Sequence, residues 1–90
     1  MDNIYVICDI TIKEPHENAI SILYSLAAVK KWRFLSGSTT SDHVKLGMKI
    51  KDFKKYYDEY PVRGKTYDGI GGFKKFVDHV EVKDIRDLTL

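Results

Sequence analysis

The spacing of hydrophobic positions along this chain changes period several times, and each change marks an element. Ile4-Tyr5-Val6-Ile7-Cys8-Asp9-Ile10-Thr11-Ile12 is apolar and β-branched, which predicts a strand. Side chains alternate faces along a strand. Ile4, Val6, Cys8, Ile10 and Ile12 therefore share a wholly apolar face, and Tyr5, Ile7, Asp9 and Thr11 share the other. Residues 16–31 place Ala19, Ile20, Ile22, Leu23, Leu26, Ala27 and Val29 at helical spacing. Glu14-Pro15-His16-Glu17 suits the first turn of that helix, and Lys30-Lys31 suits its negative C-terminal end. Trp32-Arg33-Phe34-Leu35 opens a second strand continuing through Thr40, and Ser41-Asp42-His43 is turn-like. From Val44 to Lys51 the period is two, with Val44, Leu46, Met48 and Ile50 inward and Lys45, Gly47, Lys49 and Lys51 opposite. Asp52 is placed to cap a short helix, Phe53 to Tyr60, which Pro61 ends. Residues 62–72 are glycine-rich and loop-like, Phe73 to Val77 or Asp78 predicts a helical turn, and His79 to Lys83 alternates as a fourth strand extending toward Arg86.

The order β-α-β-β-α-β is the ferredoxin-like pattern. It predicts an α+β fold in which a four-stranded antiparallel sheet carries two helices on one face, with residues 1–90 as a single domain. The other sheet face is left open, with Tyr5, Ile7, Asp9, Lys45, Lys49 and Glu81 or Lys83 on it. A face mixing aromatic, apolar and charged groups is expected to meet a second copy of the chain, a nucleic acid or another protein.

Charge and cysteine content narrow the setting. The net charge of +2 rules out a strongly basic nucleic-acid tail, yet Lys30-Lys31, Lys54-Lys55 and Lys74-Lys75 concentrate cations locally. Cys8 is the sole cysteine, so no intrachain disulfide can form and a reducing compartment fits. Its place on the apolar face predicts a buried, inert thiol. No basic segment follows Met1-Asp2-Asn3, and no apolar run approaches the roughly 20 residues of a membrane span. The expectation is a cytoplasmic protein without membrane contact.

Several motifs fail on spacing. Gly64-Lys65-Thr66 resembles the end of a phosphate-binding loop, but Glu59 stands where that loop needs its first glycine. Gly69-Ile70-Gly71-Gly72 lacks the spacing of a dinucleotide fingerprint. His16, His43 and His79 have no paired ligand spacing and are expected at the surface or in turns, and no nucleophile-elbow pattern supports a Ser-His-Asp triad. Tyr56, Tyr57, Tyr60 and Tyr67 interleave with Lys54, Lys55, Arg63 and Lys65. That mixture suits single-stranded nucleic acid or a protein interface, and equally a helix that packs tyrosines inward and shows lysines to water. Asp9 is open to three readings: a strand carboxylate paired with a lysine across the sheet, a ligand for a hard cation such as Mg²⁺, or a polar contact at a dimer interface. One Asp supplies too few oxygens for Mg²⁺, which a symmetry-related second Asp9 would remedy.

Three patches resemble the VapD-type small endoribonucleases and their CRISPR-associated relatives. Ile4-Tyr5-Val6-Ile7-Cys8-Asp9-Ile10 is similar to that family's opening strand with its aspartate. Phe34-Leu35-Ser36-Gly37-Ser38 is similar to its aromatic followed by a Gly-Ser turn, and Phe73-Lys74-Lys75 with Val82-Lys83-Asp84-Ile85-Arg86 to its closing portion. Thr39-Thr40 replaces the aromatic that usually follows the turn, and residues 76–81 stand as an insertion. The resemblance implies a homodimeric, metal-assisted endoribonuclease. Asp9 from both chains would hold one Mg²⁺, Ser36 or Ser38 would orient a phosphate, Lys45 and Lys49 would contact RNA, and Arg86 would support the closing strand. The competing class is a binding module without chemistry, of the dimensions of phage-encoded regulators and inhibitors of host defence. It would dock protein or nucleic acid through the open sheet and the Tyr56–Lys65 segment. A structural subunit that only oligomerises is the third class.

Overall fold

The expected first strand forms over its full predicted length as β1 (Ile4–Ile12), followed by α1 (His16–Lys30), β2 (Arg33–Ser36), β3 (His43–Lys49), α2 (Ile50–Tyr57), β4 (Thr66–Asp68) and β5 (Val77–Asp87). The structure is a computed structural model that describes residues 4–13, 16–37, 42–69 and 74–87. Glu14-Pro15, Ser38, Thr39-Thr40, Gly71-Gly72 and Phe73, all used in the reading above, lie outside the described residues.

Among the described residues the fold is α+β, with two helices and a five-stranded antiparallel sheet in the order β2-β3-β1-β5-β4. The sheet thus has five strands rather than the expected four. The added strand is β4, from the stretch read as loop. Thr66, Tyr67 and Asp68 pair with Glu81, Val80 and His79 of β5. Three residues between glycines carry too little periodicity to announce a strand, and β5 supplies the missing partner from farther along the chain. Just before β4, Gly64 N–H donates to Val82 C=O at 2.7 Å and Val82 N–H to Lys65 C=O at 3.0 Å, which continues the pairing.

The core lies between the helices and one face of the sheet. Val6, Cys8, Ile10 and Ile12 of β1 pack with Val44, Leu46 and Met48 of β3 and with Val77, Val80 and Val82 of β5. Ala19, Ile20, Leu23 and Ala27 of α1 and Phe53 of α2 cover them. Ile22 and Val29, included in the predicted apolar stripe of α1, stay exposed at 46% and 77%. Phe53, Tyr57 and Tyr67 form an aromatic cluster with centroids 4.8–5.2 Å apart, which binds β4 to α2. A cavity of about 20 Å³, lined by groups such as Leu23, Trp32 and Met48, remains inside.

Element ends correct the sequence reading in several places. α1 stops in a Schellman turn: Trp32 N–H reaches Ala27 C=O at 2.8 Å, Lys31 N–H reaches Ala28 C=O at 3.4 Å, and Lys31 takes the left-handed φ of 61°. α2 begins at Ile50 and ends at Tyr57, with Asp58 left-handed at φ 54°, so neither Asp52 nor Pro61 bounds it. Asp52 sits in the first turn and accepts the Trp32 indole N–H at 2.7 Å. That bond ties α2 to the end of α1, because Trp32 is only 5% exposed and its N–H needs a partner. The expected helical turn from Phe73 to Val77 or Asp78 gives way at Val77, where β5 already begins. Gly69, read as part of a flexible loop, is buried, and a Cβ there would collide with the Val77 carbonyl.

Cys8 is fully buried, and burial pushes its thiol from 9.0 up to about 12. Tyr57 is raised from 10.0 to about 12, first by burial and then by nearby acidic groups.

Two stability outcomes follow from these contacts. Asp52→Ala strands the buried Trp32 N–H and should cost about 1–3 kcal/mol. Asp52→Asn keeps an acceptor and should cost less. Urea melts of both variants compare them, and equal losses would mean the hydrogen bond is not the source. The second concerns alkali. Cys8 and Tyr57 ionise less readily folded than unfolded, so above their ordinary values of 9.0 and 10.0 the unfolded chain binds fewer protons. Their contribution to stability is therefore complete below those values and is lost as pH climbs toward about 12. Melting temperature should fall across that range, and less steeply in Cys8→Ala.

Candidate functional site

β1 is central, so its residues face neighbours on both sides. Asp9 lies opposite Lys45 of β3 and Glu81 of β5, and Thr11 lies opposite His43 and His79. These residues sit on the sheet face away from the helices. β4 extends the same rows, with Thr66 beside Glu81 and Asp68 beside His79. Two antiparallel registers thus assemble one polar patch from residues 9 to 81.

Its centre is the Thr11 hydroxyl. Thr11 Oγ1 lies 3.0 Å from His79 Nε2 and 3.4 Å from His43 Nδ1. Each imidazole also meets a carboxylate, His79 on the ring nitrogen opposite Thr11 and His43 on the same Nδ1 that Thr11 approaches. Asp9 Oδ1 is 3.3 Å from His43 Nδ1, and Asp78 Oδ2 is 2.8 Å from His79 Nδ1. Neutral imidazole has one N–H and one acceptor nitrogen. With Asp78 accepting the Nδ1–H of His79, Nε2 of His79 accepts the Thr11 O–H. With Asp9 accepting the Nδ1–H of His43, the acceptor nitrogen of that ring is Nε2, on the side away from Thr11. The His43 side chain is 61% exposed and the Asp9 side chain 26%, so a solute can reach the cluster.

Asp78 reaches His79, its chain neighbour, because β5 is irregular there. Thr11 pairs with His79 and Ile12 with Val77, which leaves Asp78 as the extra residue of a bulge. A second shift, at Ile7/Cys8, leaves Lys83 extra and brings Asp84 opposite Ile7. Arg86 donates to Asp84 through Nε at 3.1 Å and Nη2 at 2.7 Å. Those bonds, followed by the Ile85 amide and the charges of Arg86 and Arg63, hold the Asp84 carboxyl below the usual range.

The proposed site residues separate into groups. Asp9, Lys45 and Lys49 share the open face, and Ser36 pairs with Lys45 at the edge of the sheet. Ser38 lies outside the described residues. Arg86 is held by Asp84, and Arg63 lies 3.7 Å from the same carboxylate. Lys54, Lys55 and Tyr56 belong to α2, on the opposite side of the sheet. Tyr56 packs edge-on to Trp32 at 6.2 Å, and Lys54 stands 5.9 Å from the centre of the Tyr60 ring. Lys65 pairs with Glu59 at 2.8 Å, and Tyr67 O–H donates to the same oxygen at 2.9 Å. The Lys65 bond, then the Tyr67 bond, lowers the Glu59 carboxyl. Within the basic-aromatic stretch from Tyr56 to Lys65, Tyr57 and Lys65 help to fix β4 against α2, while Tyr60 and Arg63 stay exposed.

The open face also differs from its expected character. Tyr5 and Ile7 are only 7% and 5% exposed within one chain. Tyr5 stands between Lys49 and Arg86 in the register, whose aliphatic stems are the groups able to cover it. The face presents charge rather than bare apolar surface. Lys45 and Lys49 form no ion pair among the described residues. No cluster of three or more His, Cys, Asp or Glu side chains suited to a metal occurs among the described residues. Asp9 has Glu81 opposite it in the same chain, short of the oxygen count Mg²⁺ requires.

His43, His79 and Thr11 were missed as a site because nothing in their spacing pairs them. The available signal was Thr11 on the face of Asp9, but the two histidines join it only once both registers are fixed. Comparison with protein-family models, curated proteins and solved structures gives no match to this chain.

Proposed function

We propose that this protein is a small endoribonuclease that cleaves RNA on its open sheet face by histidine acid–base chemistry, on a ferredoxin-like frame extended by one edge strand. The observation that carries this reading is the contact of one hydroxyl, Thr11 Oγ1, with two imidazoles that each also touch a carboxylate. Imidazole is the side chain suited to exchanging protons in both directions, and two of them within reach of one hydroxyl on an exposed face suit acid–base cleavage of a phosphodiester.

The step balances without a co-reactant. His43 Nε2 takes the proton of the ribose 2′-hydroxyl. The 2′-oxygen forms a bond to phosphorus, and the bond from phosphorus to the 5′-oxygen breaks. His79, protonated, delivers the Nε2 proton to that leaving oxygen. The products are a 2′,3′-cyclic phosphate and a 5′-hydroxyl. Asp9 and Asp78 orient the imidazoles, and Lys45 and Lys49 offset phosphate charge.

This mechanism differs from Mg²⁺ activation of water by paired Asp9 side chains, and no step is drawn through a metal. It needs one chain, and the burial of Tyr5 and Ile7 removes the apolar reason for a homodimer. Kinship with the VapD-type enzymes remains part of the proposal, resting on the three sequence patches. A second reading, a non-catalytic nucleic-acid-binding module, is favoured by the openness of the cationic face, on which the His43 side chain is 61% exposed.

Incubation of a labelled single-stranded RNA with excess chelator tests the reading. Cleavage should persist, leave cyclic phosphate ends and spare a 2′-deoxy analogue. The rate should peak at an intermediate pH, because one histidine must be neutral and the other charged. His43→Ala and His79→Ala should each lower it about 100-fold or more, and Asp9→Asn by less. Chelator-sensitive cleavage leaving 3′-hydroxyl ends would restore the metal mechanism. Salt-sensitive RNA binding without cleavage, weakened in a Lys45→Ala/Lys49→Ala double variant, would leave the binding module.

A further inference from the structure

A second feature lies on the helix side of the sheet, at its β2 edge. β2 pairs only with β3, so its outer edge is free of strand partners among the described residues. Beside it runs a groove of about 160 Å³ lined by Tyr24, Ala27, Ala28, Trp32 and Phe34. Tyr24 is 61% exposed, and its ring meets Phe34 at 5.2 Å. α1 therefore overhangs the place where another strand would lie. In such a strand, alternate side chains would enter the groove next to Phe34.

The charges at the end of α1 and on the other face of β2, where Arg33 lies opposite Gly47, indicate what would lie there. Lys30, Lys31 and Arg33 flank Trp32 and form no ion pair among the described residues. The carboxylate beside them, Asp52, accepts the Trp32 N–H. A second copy joined edge to edge would bring the same cations against each other. We propose that the β2 edge and its groove dock an extended acidic–apolar segment of a partner protein by strand addition. Its backbone would bond to β2, its apolar residues would fill the groove, and its acids would meet Lys30, Lys31 and Arg33. The site is separate from the histidine cluster, so it stands or falls independently of the ribonuclease reading.

The probe is a synthetic octapeptide alternating glutamate and valine, with a lysine–valine octapeptide as control. Binding is read from Trp32 fluorescence and from backbone amide shifts. The glutamate peptide should saturate, shift the amides of β2 and the second half of α1, and slow hydrogen exchange at β2. Salt should weaken it, and the lysine peptide should not bind. Ala28→Glu, at an exposed position, should weaken binding at least about tenfold while its melting temperature stays near that of the parent. Equal binding of both peptides, or absence of shifts at β2, would overturn the proposal. So would concentration-dependent dimerisation that shifts the same amides without peptide, which would make the occupant a second copy.

Discussion

Everything in this molecule is referred to the pairing of β1 with β3 on one side and β5 on the other. A central strand has no freedom of register once both neighbours bury one of their faces, because a slip of one residue turns every apolar side chain outward. Val6, Cys8, Ile10 and Ile12 against Val44, Leu46, Val80 and Val82 impose that condition. The polar residues of β1 are then fixed too, although they contribute little to the core. Thr11 meets two histidines because its neighbours in the sequence are committed to packing. The hydrophobic register is what positions the polar cluster, with no loop required to hold it.

The two faces of the sheet divide the work differently from the division drawn by composition. Aromatic and basic residues are densest between Tyr56 and Lys65, and part of that density serves packing: Tyr57 lies on Phe53, Tyr67 meets Phe53 edge-on, and Glu59 gathers Lys65 and Tyr67, while Tyr60 and Arg63 stay exposed. The chemically suggestive groups are sparse in the sequence and concentrated in space. Imidazoles from two strands meet at the Thr11 hydroxyl, each with a carboxylate in contact, and neither histidine lies in a motif.

Local pattern made β1, α1 and most of β3 legible, since each has several residues at one period with one consistent apolar face. It failed where the decisive partner was distant. Thr66-Tyr67-Asp68 becomes a strand only against β5, and Asp52 resembles a cap until Trp32 is brought to it from twenty positions away. Ile50 continues the alternation of β3 on paper, yet the chain turns into α2 there, since a helix from Ile50 buries Phe53 completely. The site was legible in part. Asp9 and Lys45 were placed on the correct face by period two alone. His43 was not, because it was read as a turn, and His79 shares the period-two face of Glu81 but meets Thr11 only once the β1–β5 register is fixed.

The two bulges of β5 have a bearing on how such a chain can change over generations. Each adds one residue to one side of the pairing with β1, at Asp78 and at Lys83. Between them His79, Val80, Glu81 and Val82 keep step with β1, and beyond Lys83 the step resumes one residue displaced. Loss of Lys83 would leave the segment between them intact and restore a plain step beyond it. Loss of Asp78 would also keep the step but would take away the carboxylate beside His79. Loss of a residue within the segment would carry the histidine into the core or a valine into water. The length of this strand can therefore drift at Lys83, while the spacing from Asp78 to Val82 is held by the cluster and the core together.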